Sequence, residues 1–132
     1  MNEIEKLCED LTNTRVLYVE DEEDVRDMSI DFFQKFFKQI DTATNGYDGL
    51  ELFKKNKYDL VITDLRMPKM DGREMLKEIK NLNKDVVAIV ITASDSDIDA
   101  STTACDIYLN KPIEFMPFVE ALQSIKDKLI IK

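Results

Sequence analysis

Apolar residues in this chain form short continuous runs separated by longer stretches with helical spacing. The runs lie at about residues 15–19, 60–62, 86–91 and 106–109, and residues 39–43, which are more polar, predict a weak second strand. Each is short enough for a buried strand. Stretches with helical spacing lie between and after them, at about residues 23–37, 46–56, 72–84 and 114–129. Strands that alternate with helices predict an α/β fold, a parallel sheet with helices on both faces.

Three helical predictions carry a qualification. Residues 2–12 place apolar side chains at helical spacing and predict a short extra N-terminal helix. Residues 95–103 should form the helix before the last strand, but their helix propensity is poor. In the helix over residues 23–37, one apolar face indicates core packing rather than a binding patch. That face consists of Val25, Met28, Phe32, Phe33 and Phe36.

Ionisable residues follow three of the predicted strands at the point where each strand ends. Glu20 and Asp21 follow the first strand, Asp64 follows the third, and Lys111 follows the fifth. A single aspartate in such a position is more often a turn cap. If the strands are parallel, however, all four residues emerge at one edge of the sheet, where open α/β sheets bind ligands. Three crowded carboxylates repel one another, and oxygen ligands without His or Cys suit Mg²⁺.

Composition narrows the classes of function. The chain has 132 residues, a net charge of −9 and no histidine. That length fits one domain, and the acidic balance argues against direct nucleic-acid binding. The sequence has neither an apolar run of membrane-spanning length nor a signal-peptide pattern, and Cys8 and Cys105 have no metal or redox spacing. A cytoplasmic protein is therefore expected.

Four motifs together resemble the receiver domain of two-component response regulators. They are Glu20-Asp21, the stretch Asp64-Leu65-Arg66-Met67-Pro68-Lys69-Met70-Asp71-Gly72, Thr92-Ala93, and Tyr108-Leu109-Asn110-Lys111-Pro112. The resemblance extends from about Arg15 to Lys128. It implies a flavodoxin-like, doubly wound, five-stranded sheet of order 2-1-3-4-5 with five flanking helices. Residues 1–13 are then an N-terminal extension, and residues 14–130 the receiver domain.

The resemblance also implies roles for the acidic residues. Asp64 corresponds to the phosphoacceptor, whose carboxylate attacks the phosphorus of a donor's phosphohistidine. Asp21 and Asp64 correspond to direct Mg²⁺ ligands, together with the backbone carbonyl of Arg66. Glu20 stands where aspartate is more frequent in the family and is expected to act on the metal through a bound water.

Further roles fall to residues on the last two strands. Lys111 corresponds to the lysine that pairs with Asp64 and later with a phosphoryl oxygen, and Pro112 is expected to follow a cis peptide bond. Thr92 corresponds to the hydroxyl residue that bonds the phosphoryl group. Tyr108 corresponds to the aromatic residue that swings between exposed and buried states. The signal, and a dimer contact, are expected on the face made by residues 95–103, strand 5 and the last helix.

The function implied is a phosphorylation-activated signalling switch rather than an enzyme with turnover on a substrate. Its phosphoryl donor is expected to be a sensor histidine kinase or a histidine phosphotransfer protein, and its output partner is unknown. The alternative is a Mg²⁺-dependent phosphatase of the haloacid dehalogenase type, which needs a second acid two residues after its nucleophile, where Arg66 stands. An FMN-binding flavodoxin and a degenerate receiver that only binds partners are weaker readings, since the first loop is acidic and every acceptor-site residue type is present.

Overall fold

Five parallel strands form one sheet in the order β2-β1-β3-β4-β5 in a computed structural model that describes residues 2–93 and 105–130. The strands are β1 (Arg15–Val19), β2 (Gln39–Ala43), β3 (Leu60–Thr63), β4 (Val87–Thr92) and β5 (Ile107–Asn110). The helices in the described residues are α1 (Glu3–Leu11), α2 (Glu23–Phe33), α3 (Gly46–Lys55), α4 (Gly72–Leu82) and α5 (Phe115–Ile130). The predicted fold class and strand order are confirmed.

The central strands are apolar on both faces because helices cover the sheet on both sides. Along β1, Val16 and Tyr18 pack into the core beneath α1, α2 and α5. Leu17 and Val19 pack into the opposite core beneath α3 and α4. The alternation of side chains along a strand therefore divides the buried residues into two layers.

Strand register brings the carboxyl ends of the strands to one edge. Val19 pairs with Thr63, and Thr63 pairs with Val90. Between β4 and β5, Thr92 pairs with Asn110. The residues that follow β1, β3 and β5 consequently leave the sheet on the same side.

The extra N-terminal helix is present as α1 and packs against α5. Leu7 and Leu11 are fully buried in the same core as α2 and α5. At the surface, Asp10 lies 3.8 Å from the ammonium of Lys126 on α5. The N-terminal extension thus contributes to the core of the domain rather than projecting from it.

Two details of the predicted helices differ from the structure. The second helix ends at Phe33 and not at residue 37, because the amides of Lys35 and Phe36 bond to carbonyls three residues back and the chain turns towards β2. Met28 was expected in the core but is 75% exposed. The weak helix predicted over residues 95–103 lies outside the described residues. None of the described helices combines the length and apolar character that a membrane span requires.

Candidate functional site

Backbone hydrogen bonds extend the sheet by one residue at the ends of β1 and β3. The amide of Glu20 donates to the carbonyl of Ala43 at 3.0 Å. The amide of Asp64 donates to the carbonyl of Val19 at 3.2 Å. Both acidic residues are therefore fixed at the backbone, and their side chains leave the sheet from a rigid edge.

The three carboxylates converge as predicted. One oxygen from each of Glu20, Asp21 and Asp64 lies within 4.8 Å of the other two. Glu20 and Asp64 are buried, at 1% and 8% exposure, whereas Asp21 is open to solvent. The cluster thus has one acidic side chain at the surface and two that are buried.

Lys111 bridges the two buried carboxylates. Its Nζ lies 2.7 Å from Asp64 Oδ2 and 2.8 Å from Glu20 Oε1. Its backbone amide donates to the carbonyl of Thr92 at 2.9 Å, and the peptide bond to Pro112 is cis, as expected. Burial alone would lower the pKa of Lys111, but its hydrogen bonds to Asp64 and Glu20 outweigh burial and raise that pKa above its usual range. The lysine is held in its charged form.

The remaining oxygens of the two buried carboxylates accept backbone hydrogen bonds. Leu65 N donates to Asp64 Oδ1 at 2.7 Å, and Glu22 N donates to Glu20 Oε2 at 3.3 Å. Burial raises the pKa of Glu20 in spite of its hydrogen bond from Lys111. One lysine therefore leaves the negative charge of three carboxylates only partly balanced.

This donor set fits Mg²⁺. The cluster offers carboxylate oxygens alone, which a hard cation prefers, and it retains a negative charge that a divalent ion would compensate. The residues that would hold the ion are Glu20, Asp21 and Asp64. Arg66 lies two residues after Asp64 in the loop that follows β3, and the role of its carbonyl stays a prediction.

The start of α4 packs tightly against the backbone of Asp64. Gly72 donates its amide to the carbonyl of Leu65 at 2.7 Å. A Cβ at Gly72 would lie 2.1 Å from the carbonyl oxygen of Asp64, so only glycine allows this approach. Asp71, the preceding residue, caps α4 by accepting a hydrogen bond from Glu74 N at 3.0 Å.

The two residues expected to act as the switch lie on adjacent strands. Thr92 is the last residue of β4 and is 1% exposed. Tyr108, on β5 opposite Val90, is half-buried with a buried hydroxyl and shares a hydrogen bond with Cys105. Thr92 and Tyr108 thus lie on adjacent strands near the carboxylate cluster, and their role in a switch stays a prediction.

An apolar groove of about 370 Å³ adjoins the site between α2 and the loop after β5. Val25, Met28 and Phe32 line its α2 side, and Lys111 belongs to the opposite wall. Sequence reasoning missed this groove because the same apolar spacing predicted a fully buried face. The only sequence signal was the polar Ser29 within that face.

Ser29 forms a hydrogen bond with Tyr18 at the bottom of the groove. Tyr18 is 2% exposed, and burial raises its pKa to about 12 against the effect of that hydrogen bond. The phenol therefore stays neutral, and the groove has a small polar spot beside Lys111.

A doubly wound sheet with a carboxylate cluster and a bridging lysine at its carboxyl edge defines the class of receiver-like proteins. The sequence model of the response regulator receiver domain matches residues 16–123, and the chain belongs to that family. Family membership supports the predicted signalling switch and not the phosphatase alternative.

Known relatives agree with this assignment. The response regulator SaeR of Staphylococcus aureus strain USA300 is 31% identical over 119 residues, which are 88% of this chain and 52% of SaeR. The chain thus spans about half the length of the curated relatives it matches. Response regulator TrrA of Thermotoga maritima, solved in complex with Mg²⁺-BeF, is 35% identical with a TM-score of 0.79, over 86% of this chain and 99% of TrrA. A structure of histidine kinase ThkA in complex with TrrA matches at 34% identity and a TM-score of 0.74, over 86% of this chain and 98% of the matched chain.

Proposed function

We propose that this domain is a cytoplasmic switch that takes a phosphoryl group on Asp64 from a histidine kinase or a histidine phosphotransfer protein. The observation that carries the proposal is the position of Asp64, a buried carboxylate with one oxygen 2.7 Å from the Lys111 ammonium and two further carboxylates beside it. The Mg²⁺-BeF complex of TrrA and the ThkA–TrrA complex support it by analogy. Both cysteines are free thiols, in keeping with a reducing compartment.

In the proposed reaction, an oxygen of Asp64 forms a bond to phosphorus while the bond from phosphorus to the donor's imidazole nitrogen breaks. The electron pair of the broken bond stays on that nitrogen, and the imidazole leaves in its neutral form because its other ring nitrogen carries a proton. Lys111 is already charged and 2.7 Å from Asp64, so it can move its hydrogen bond to a phosphoryl oxygen. Leu65 N keeps the carboxylate oriented through its bond to Oδ1.

Mg²⁺, when held by Asp21, Asp64 and Glu20, supplies positive charge that compensates the transferring phosphoryl group. The domain then catalyses its own phosphorylation and dephosphorylation and has no other substrate. Thr92 and Tyr108 are the residues proposed to relay the modification to the face of β5 and α5, where an output domain, a target protein or a second copy would bind.

Labelling by acetyl phosphate tests the acceptor. The mass of the intact wild-type protein should rise by one phosphoryl unit with Mg²⁺ and stay unchanged with a chelator. Asp64→Asn should show no rise, whereas the matched variant Asp106→Asn, at the opposite edge of the sheet, should be labelled as the wild type is. Equal labelling of Asp64→Asn, or labelling that ignores the chelator, would contradict the proposal.

The groove beside Lys111 is the proposed docking site of the protein donor. It shares Lys111 with the acceptor site, so a side chain seated in it lies next to Asp64. Met28 is 75% exposed at its rim, and the first turn of α2 carries Glu23 and Asp24. An apolar helix with basic flanks therefore fits this surface.

Phosphotransfer from a panel of purified, autophosphorylated kinases tests the docking site. For any kinase that labels the wild type, Met28→Asp should slow transfer at least about tenfold, because a charge replaces an apolar contact. Labelling by acetyl phosphate should not change. Leu82→Asp, which alters another exposed apolar residue, on α4, is the control. Equal transfer rates for Met28→Asp and the wild type would show that the donor does not dock in this groove.

A further inference from the structure

Arg26 holds the peptide that joins two of the acidic residues. Its Nη1 donates a hydrogen bond to the backbone carbonyl of Glu20 at 2.8 Å. Arg26 itself is fixed in the first turn of α2, where its amide donates to the carbonyl of Glu22 at 2.9 Å. The guanidinium therefore links the start of α2 to the end of β1.

The carbonyl of Glu20 lies in the same rigid plane as the amide nitrogen of Asp21, because a peptide bond does not rotate freely. Fixing that oxygen fixes the direction in which the chain continues to the Cα of Asp21. Glu20 is also held through both oxygens of its side chain, by Lys111 and by Glu22 N. Asp21 is the exposed member of the cluster, so its place depends on this backbone.

We infer that Arg26 is a positioning residue for Mg²⁺ binding, and that it acts by orienting the Glu20–Asp21 peptide so that the Asp21 carboxylate faces Asp64. The inference rests on the proposed function, since it assigns a role within the same metal site. Arg26 touches no reacting atom in this scheme. Its contribution is geometric and precedes metal binding.

The charge of Arg26 has the opposite effect on the metal. A guanidinium close to the cluster repels a cation, so charge alone predicts that removing Arg26 would tighten Mg²⁺ binding. Loss of positioning predicts that removing it would weaken binding, because residues that orient metal ligands typically contribute about 10- to 100-fold in affinity. The sign of the change therefore separates the two effects.

Titration calorimetry with Mg²⁺ alone on the metal-free protein tests the inference. Arg26→Met should weaken binding by about tenfold or more. Arg26→Lys keeps the positive charge and a hydrogen-bond donor but lacks the planar guanidinium. Its Mg²⁺ affinity should lie between those of Arg26→Met and the wild type. Lys38→Met removes the same charge from an exposed residue before β2 and should leave the affinity within about twofold, as expected for a screened surface charge.

Two results would overturn the inference alone: Arg26→Met binding Mg²⁺ as tightly as the wild type or more tightly, or Arg26→Lys binding with wild-type affinity. If Arg26→Met does not fold, the Mg²⁺ affinity of Arg26→Lys relative to the wild type tests the inference. A wild-type protein that binds no Mg²⁺ would overturn both this inference and the proposed function.

Discussion

Lysines and carboxylates meet at both edges of the sheet, in opposite proportions. At the carboxyl edge, the acceptor cluster sets three carboxylates around one lysine, Lys111. At the amino edge, the Asp106 cluster sets one carboxylate between two lysines. Asp106 Oδ2 lies 3.4 Å from the ammonium of Lys80, and Oδ1 lies 3.1 Å from that of Lys128.

Asp106 also joins two strands. Its Oδ2 accepts the amide of Ala88 at 2.8 Å, and its own amide donates to the carbonyl of Ala88 at 2.8 Å. Burial alone would raise the pKa of Asp106, but the hydrogen bonds from Ala88 and Lys128 outweigh burial and lower that pKa. The carboxylate is fully compensated and stabilises the start of β5.

The pKa values of Glu20 and Asp106 are shifted in opposite directions. The pKa of Glu20 is raised and that of Asp106 is lowered, although each accepts a hydrogen bond from a lysine. Glu20 is almost fully buried, and that burial is the largest cause of its raised pKa, to which the negative charge of Asp64 adds. Asp106 is less deeply buried, so its hydrogen bonds and the charges of two lysines outweigh burial. The cluster around Asp64 also keeps an excess of negative charge, which a bound cation would relieve.

We therefore expect Mg²⁺ to stabilise the carboxyl edge, which holds the three carboxylates, and not the amino edge, which holds Asp106. At a free concentration 100 times its Kd, the ion should raise the free energy of unfolding by about 2.7 kcal/mol. Asp21→Asn should remove most of this gain and should also make the metal-free protein slightly more stable, because it relieves repulsion. Urea unfolding with and without Mg²⁺ measures both effects. A metal-free Asp21→Asn protein less stable than the wild type would show that Asp21 holds structure instead.

Asp106→Ala should be destabilising by about 2 kcal/mol, because it leaves the buried amide of Ala88 without its acceptor and removes a partly exposed ion pair with Lys80. Labelling by acetyl phosphate should be unaffected, since the acceptor cluster lies at the other edge. Asp127→Ala, on an exposed position of α5, is the control and should change neither quantity. A loss of labelling in folded Asp106→Ala would mean that the two clusters are coupled.

Acid unfolding measures the ionic contribution of Asp106 to stability, for which we expect a smaller effect. Asp106 has a lower pKa in the folded protein than when unfolded, so its contribution is present above about pH 4 and is lost as pH falls through the folded pKa. Asp106→Asn, which keeps an acceptor for Ala88 N, should be about 1 kcal/mol less stable at neutral pH after allowance for partial exposure. The two stability curves should converge below that pH. Parallel curves across the whole range would exclude an ionic contribution.

Sequence reasoning found the acceptor cluster because its members follow strands directly. Once the strands are parallel, Glu20, Asp64 and Lys111 must leave the sheet at one edge, and the structure confirms this. The strands and helices themselves were predictable because apolar residues have different spacings in buried strands and in amphipathic helices.

Contacts that depend on tertiary distance were not predictable. Lys80 and Lys128 reach Asp106 from 26 and 22 residues away, and no local pattern marks that aspartate. Arg26 bonds to a backbone carbonyl, which leaves no trace in residue types. The end of α2 was misplaced because Phe36 and Phe37 continue the apolar pattern although the helix has ended.

The carboxyl edge of the sheet also has a strained backbone position. Lys69, in the loop between β3 and α4, has a φ of 67°, and it is the one non-glycine residue with positive φ among residues 2–93 and 105–130. The loop is fixed on both sides of it, since Met70 N donates to Pro68 O at 2.9 Å and Met70 O accepts from Gly46 N at 2.8 Å. The residue therefore cannot relax to the negative φ that a side chain prefers.

Lys69→Gly should remove this strain and be stabilising by about 0.5 kcal/mol, the small remainder after the greater backbone freedom of glycine in the unfolded chain is counted. Lys69→Ala removes the same charge and side chain but keeps the Cβ, so it should leave the free energy of unfolding almost unchanged. Urea unfolding of the two variants compares them directly. If alanine were as stabilising as glycine, the cause would be the lost lysine side chain, and backbone strain would not distinguish the carboxyl edge from the edge that holds Asp106.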